Sequence, residues 1–256
     1  MFESFLRIND TLSPQVLAAE KGFVLVFKPP RIHSAPLAKE LSPKETILSW
    51  CIEQFPEITD LSGRKPGEGG LLHRLDYETQ GLMLFARNRD GMEKLLEQQR
   101  EGKIIKEYSA LVAESEATLP GFPVEQQESF TGDSLRQCGE NGEPQKIQSA
   151  FRPFGPGRKA VRPVITGEQY LTQLLKSSPI AGELTTLRLR IYRGFRHQIR
   201  CHLAWMRMPI LNDNLYGGLS HGNGFLGLRA CLLSFTDPSS GEQRSYSIPP
   251  LEPDEI

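Results

Sequence analysis

The sequence predicts an α+β fold built on a mostly antiparallel sheet. Segments with strand patterning outnumber those with helical patterning. No regular strand–helix–strand alternation of the kind that builds a parallel sheet is present. The last two strand-like segments flank a tight turn, Asp237-Pro238-Ser239-Ser240-Gly241, as in a returning antiparallel pair.

In chain order, the first residues carry weak signals and read as an arm over residues 1–14. Phe23 to Phe27 is a continuous apolar run closed by Lys28-Pro29-Pro30, which predicts a buried strand and a rigid turn. Ser42-Pro43-Lys44-Glu45 predicts a helix start: serine as cap, proline in the first turn, glutamate completing the capping box. Ile47, Leu48, Cys51, Ile52 and Phe55 then share one helical face. Leu82 to Ala86 predicts a second buried strand. Asp90 and Glu93 open a second helix with Met92, Leu95 and Leu96 inward and Gly102 at its end. Around Tyr108 apolar and polar residues alternate, a strand with Tyr108 on one face. Glu114 to Pro179 is polar and rich in glycine and proline and predicts long loops with short strands. Leu187, Leu189 and Ile191 predict a strand with Arg188 and Arg190 on its other face. A helix follows Gly194, with Ile199, Leu203 and Met206 inward and Arg196 and Arg200 four apart on it. Ala230 to Phe235 and Ser245 to Ile248 are the closing strands, and residues 251–256 read as an acidic tail.

With 256 residues, 38% of them hydrophobic, the chain can bury a sizeable core. No run of about 18 apolar residues is present, and the N-terminus lacks a basic start and apolar run, so a cytoplasmic protein with no membrane association is expected. Cys51, Cys138, Cys201 and Cys231 show no paired spacing, which argues against zinc ribbons and a disulfide framework. The net charge of −1 excludes a generic polyanion binder, but the charge is unevenly spread. Lys146 to Arg162 carries five basic residues and no acid, and Arg188 to Arg207 carries six arginines and no acid.

The segment from Gly69 to Gly81 stands out. Its polar cluster, His73-Arg74-Leu75-Asp76-Tyr77-Glu78-Thr79, lies between Leu71-Leu72 and the strand from Leu82. A carboxylate on a short loop between core elements is rigidly placed, as a catalytic group must be. The blander reading makes Asp76 a turn cap paired with Arg74.

These residues resemble the catalytic signature of the RluA-type RNA pseudouridine synthases: His73-Arg74-Leu75-Asp76, then Thr79, Gly81 and Leu-Met-Leu-Phe-Ala. Three further segments agree in order and spacing: Phe23 to Pro30, Lys106 to Val112 with its tyrosine, and Gly194 followed by His197-Gln198-Ile199-Arg200 and His202-Leu203. Leu215-Tyr216-Gly217 follows, and the resemblance covers roughly residues 15 to 250. Departures stand at Gln80 (usually serine), at Arg193-Gly194-Phe195-Arg196 (usually Thr-Gly-Arg-Thr) and at Asn212-Asp213-Asn214 (usually Gly-Asp-Pro). They replace no proposed catalytic residue and bear on the RNA substrate and the shape of the site.

The resemblance implies one catalytic domain over residues 15–250, with flanking helices and a central catalytic cleft. The small RNA-binding module often fused ahead of it is not expected, since too few residues precede Phe23. The implied activity is isomerisation of uridine to pseudouridine in structured ribosomal or transfer RNA. The implied catalytic residues are Asp76, Tyr108 to stack on the base and help remove its C5 proton, and Arg200 as the cation beside the carboxylate. A carboxyl with an ordinary pKa of about 3.9 is anionic at neutral pH, which suits a group acting near C1′ or C2′ of the ribose. Nucleophilic attack and proton removal both remain open for it. A target hidden in the stack must be flipped out, and the resemblance gives Arg74 the vacated space. RNA-binding candidates are His73, Arg74, Thr79, Arg188, Arg190, Arg193, Arg196, His197 and Gln198. The reaction is redox-neutral and needs no group donor, so no cofactor is expected, and a monomer without obligatory protein partners is the simplest assembly.

Other chemistries fit less well. A kinase loop places Asp directly after His-Arg, whereas Leu75 intervenes here. A glycosidase needs two carboxylates, and only Glu78 accompanies Asp76. His197, Cys201 and His202 lack the spacing and second cluster of a metal site. A non-catalytic RNA-binding protein on the same fold is the main rival; the presence of Asp76, Tyr108 and Arg200 together argues against it.

Overall fold

A computed structural model describes residues 2–36, 45–61, 67–115, 119, 122, 144–180 and 183–256. They form eleven strands and three α-helices, the α+β architecture with mainly antiparallel pairing that the sequence predicts. The chain divides into two compact units: residues 1–106 with 230–249, and residues 107–229 with 250–256. The boundaries between them fall inside two strands, β5 (Ile105–Ala113) and β10 (Leu228–Thr236), and between Pro249 and Pro250.

In the first unit the strand order is β2 (Gln15–Ala19), β3 (Phe23–Lys28), β4 (Gln80–Ala86), β10, with β11 (Gln243–Ser247) antiparallel to β10. The first residues, expected in a separate arm, form β1 (Phe2–Phe5) and pair parallel with β11. β3 and β4 are buried along their whole length, so their apolar runs belong to central strands covered on both faces. Helix α1 (Ile47–Gln54) starts later than Ser42 suggests: Thr46 accepts from the Ser49 amide and Ser49 returns the bond to the Thr46 amide. Ser42 to Lys44 lie outside the described residues. Helix α2 (Arg89–Arg100) is capped by Asn88, whose side chain accepts from Gly91 N–H at 2.8 Å. Gly91 packs so closely on the Gly22 carbonyl that a Cβ would stand 2.4 Å from it. Phe23, Leu25, Phe27, Leu82, Leu84, Met92, Leu95, Leu233, Phe235 and Tyr246 form this unit's core.

In the second unit the order is β5, β9 (Leu184–Ile191), β8 (Tyr170–Pro179), β6 (Gln145–Phe154), β7 (Ala160–Val164). Where long loops were expected, β6 and β8 are ten residues each, joined antiparallel to one another and to their neighbours β7 and β9. β5 is buried on both faces, so Glu107 and Ser109 are inside as well as Tyr108. Helix α3 (Gln198–Trp205) is short, and all eight of its residues are buried. Arg196 precedes it, so it does not share a helical face with Arg200. Residues 251–256, expected as a tail, pack into this unit: Ile256 is buried and Arg229 holds Glu255. Among the described residues no helix is long and apolar enough to cross a membrane.

Candidate functional site

Asp76 lies in the first unit, half-buried, on the loop between Leu71 and β4. The loop is fixed at both ends by glycine. A Cβ on Gly70 would sit 2.0 Å from the Ala86 carbonyl oxygen; one on Gly81, where φ is +125°, would meet the Ala230 backbone oxygen at 2.3 Å. Between them every turn is tethered. The Leu84 amide donates to His73 Nε2 at 3.2 Å. Ser34 brackets Leu75, accepting from its amide at 3.0 Å and donating to its carbonyl at 2.7 Å. The Thr79 amide donates to the Asp76 carbonyl at 3.1 Å, closing a turn around the carboxylate.

The main tether comes from Lys28, at the end of β3 and wholly buried. Its ammonium donates to the carbonyls of Pro29, Tyr77 and Thr79 at 2.9, 3.1 and 2.7 Å. Three donors meet three acceptors, two of them in the stretch just after Asp76, so the group is satisfied without a side-chain partner. Burial pulls the Lys28 pKa down to about 7, against the opposing pull of the Asp76 and Glu78 charges. Lys28, Ser34 and the buried Glu68, which holds Arg74, were not among the expected site residues. A lysine closing a wholly apolar strand was the available signal for the first; nothing local marks Ser34.

Tyr108, Arg188, Arg190, Arg193, Arg196 and Arg200 lie in the second unit. Tyr108 is buried on β5, next to Glu107. The Glu107 carboxylate binds two arginines of β9: Arg188 Nε reaches Oε2 at 2.7 Å and Arg190 Nε reaches Oε1 at 2.9 Å. Arg200, on α3, forms a two-point pair with Asp213, Nε to Oδ2 at 2.7 Å and Nη2 to Oδ1 at 2.8 Å. Its guanidinium lies over the Tyr216 ring, 5.4 Å from the centroid. Arg193 pairs with the exposed Glu168 above the Tyr170 ring, and Arg196 donates to the Arg158 and Ala160 carbonyls at 3.0 and 3.1 Å. His197, with a left-handed φ of 56°, starts α3 and bonds the Tyr216 hydroxyl at 3.2 Å. Burial pushes that hydroxyl's pKa up.

Three residues expected to contact RNA are committed elsewhere. His73 is buried, and desolvation, with the Lys106 charge adding to it, holds its pKa well below the usual range. Its neutral ring serves β4. Thr79 is buried with its carbonyl on Lys28. Gln198 is buried, accepting from the Phe195 amide and donating to Leu171 and Thr172. His202 is likewise occupied on both ring nitrogens by Ser149 and Thr172. Among the described residues no three His, Cys, Asp or Glu side chains come together in a way that could hold a metal ion.

The model of the RNA pseudouridylate synthase family matches residues 22–205. A protein of Neisseria meningitidis serogroup B named ribosomal large subunit pseudouridine synthase D is 28% identical over 96% of this chain and 61% of its own. One of Chloroflexus aurantiacus, named as an uncharacterized RNA pseudouridine synthase, is 28% identical over 85% of this chain and 59% of its own. The chain thus spans about three-fifths of the length of these relatives. The human RNA pseudouridylate synthase domain containing 1 structure superposes with a TM-score of 0.62 at 17% identity, covering 94% of this chain and 85% of that one. That likeness shows the pseudouridine synthase fold. With the family model covering most of the chain, including the His-Arg-Leu-Asp loop and helix α3, this chain belongs to the RNA pseudouridylate synthase family.

Proposed function

We propose that this chain isomerises uridine to pseudouridine in RNA, with Asp76 as the catalytic carboxylate. The observation that carries the reading is the Asp76 turn itself, a half-buried carboxylate whose backbone is tied just before it by Ser34 and just after it by Lys28. Such fixing before substrate arrives is what positional catalysis requires. In the reaction the N1–C1′ bond breaks, the uracil turns, and C5 bonds to C1′; the proton leaves C5 and N1 ends protonated. Asp76 opens the glycosidic bond, Tyr108 stacks on the base and assists at C5, and Arg200, oriented by Asp213, supplies positive charge to the carboxylate. Arg74 enters the space left by the flipped base. Arg188, Arg190, Arg193, Arg196 and His197 meet the RNA backbone.

The names of the relatives favour ribosomal RNA of the large subunit over transfer RNA as substrate. The reading carries with it the cytoplasm as the place of work and a monomer, without obligatory protein partner, as the working unit. It is tested by mapping pseudouridine in total RNA from cells lacking the gene, complemented with wild type or Asp76→Ala. One uridine losing its modification and regaining it with wild type alone is the expected result. An unchanged map, with purified protein that still binds RNA, would favour a binding protein on the same fold.

A further inference from the structure

We propose that the β6–β7 ribbon is an RNA-docking arm that grips the phosphate backbone of the substrate RNA. This rests on the RNA-acting reading above. Gln145 to Gly167 carries Lys146, Arg152, Arg158, Lys159 and Arg162 and no acidic residue. Lys146, Arg152, Arg158 and Lys159 are exposed, and among the described residues no carboxylate pairs with any of them. The register sets Arg152 directly opposite Arg162, so two guanidinium groups share one face of the ribbon. Like charges in a cross-strand pair repel and weaken the strand pairing. A polyanion lying along that face converts the repulsion into two favourable contacts.

The ribbon is also shaped for contact. Alternation places Lys146, Gln148, Arg152 and Phe154 on one face of β6, and Arg162 lies over the Phe154 ring at 5.9 Å. That is a basic strip with an aromatic surface, the combination that tracks a sugar-phosphate chain. The turn is open at its tip, where a Cβ on Gly155 would meet nothing within 4 Å. Arg158 there holds a left-handed φ of 54°, and Arg196 donates to the carbonyls of Arg158 and Ala160. The tip's two charged side chains are therefore presented from a braced backbone rather than a slack loop.

The test compares the full chain with Arg152→Ala/Lys159→Ala, using unmodified large-subunit ribosomal RNA transcript as probe. Affinity is read across a salt series, together with turnover and Tm. Losing two phosphate contacts should weaken binding about five- to tenfold near 0.15 M salt and flatten the log–log salt slope by about 1.4–1.8. KM should rise while kcat at saturation holds. Because a repulsion is removed, Tm should stay level or rise, which a structural role for Arg152 would not allow. Arg152→Lys should bind like wild type. An unchanged affinity and slope in the double variant overturns the arm while wild-type turnover upholds the enzyme. Weakened binding in the variant, with no turnover by wild type, upholds the arm and overturns the enzyme.

Discussion

Lys28 in the first unit and Glu107 in the second are both charged side chains buried in central strands, and they do opposite work. The cation donates to three backbone carbonyls, two of them in the turn that follows Asp76. The anion accepts from two arginine side chains whose outer parts stay in solvent, with Arg188 and Arg190 side chains 54% and 32% exposed. A charge spent on backbone fixes geometry. A charge spent on side chains fixes direction while leaving the guanidinium groups able to meet a ligand. Substitutions at the two positions should therefore fail in different ways.

Lys28→Met should have the larger effect. Removing a buried ammonium recovers its desolvation cost, but it strands the carbonyls of Pro29, Tyr77 and Thr79 without donors. Unpaired buried acceptors cost about 1–3 kcal/mol each at most, so a net loss of about 2–4 kcal/mol is expected in denaturant unfolding. The loosened turn should lower kcat by about a hundredfold, since misplacement of this kind acts on the chemical step. A variant as stable and as active as wild type would remove Lys28 from the account of the site.

The same lysine gives a pH signature. Its pKa in the fold is about 7, below the value of about 10.4 for a free lysine. Between those values the unfolded chain holds the proton and the folded chain does not, so stability rises with pH there. The burial penalty is fully present below pH 7 and is lifted as pH climbs. Wild type should gain on Lys28→Met by up to about 1.4 kcal/mol per pH unit from pH 7 upward. A difference that is flat with pH would show that the ammonium keeps its proton in the fold.

What the sequence made legible follows the same division. The Phe-Val-Leu-Val-Phe run and the Leu-Met-Leu-Phe-Ala run announce β3 and β4 because both faces of each strand are covered. β6 and β8 escaped notice because their polar, half-exposed residues, with Pro153 and Pro179 inside or at the end, match loop composition. The tethered loop that carries Asp76 was readable as a polar cluster between apolar segments. Lys28 was marked only by its place at the close of an apolar strand; its tether was not readable, since two of its partners are carbonyls 49 and 51 positions away, and carbonyls have no residue identity to read. Alternation around Tyr108 showed a strand but not the burial of Glu107, because both faces of β5 are covered. Asp213 sat in plain view beside a departure from the family pattern, but its pairing with Arg200 is a fact of folding alone.

Glu107→Gln should be milder than Lys28→Met. Both arginines keep solvent as an alternative partner, so the loss should be about 1–2 kcal/mol. Activity should fall less than about tenfold, in KM more than in kcat, because the guanidinium groups lose their aim while the Asp76 turn is untouched. A kcat loss as large as that of Lys28→Met would mean that Glu107 acts through neighbouring Tyr108 rather than through the arginines.

The smallest effect tests how far the side-chain device extends. Arg193 pairs with Glu168, as Arg188 and Arg190 pair with Glu107, but here both partners are about half exposed, 53% and 56%. A surface pair of this exposure contributes little to folding, so Glu168→Ala should leave Tm within about 1 °C. It should nevertheless tighten RNA binding by about twofold at low salt, because Arg193 no longer divides its charge between a carboxylate and a phosphate. The gain should vanish at high salt, where screening weakens both interactions. If Glu168→Ala instead weakens binding, the carboxylate is aiming Arg193 despite its exposure, and burial of the anion is not what separates an aimed arginine from a free one.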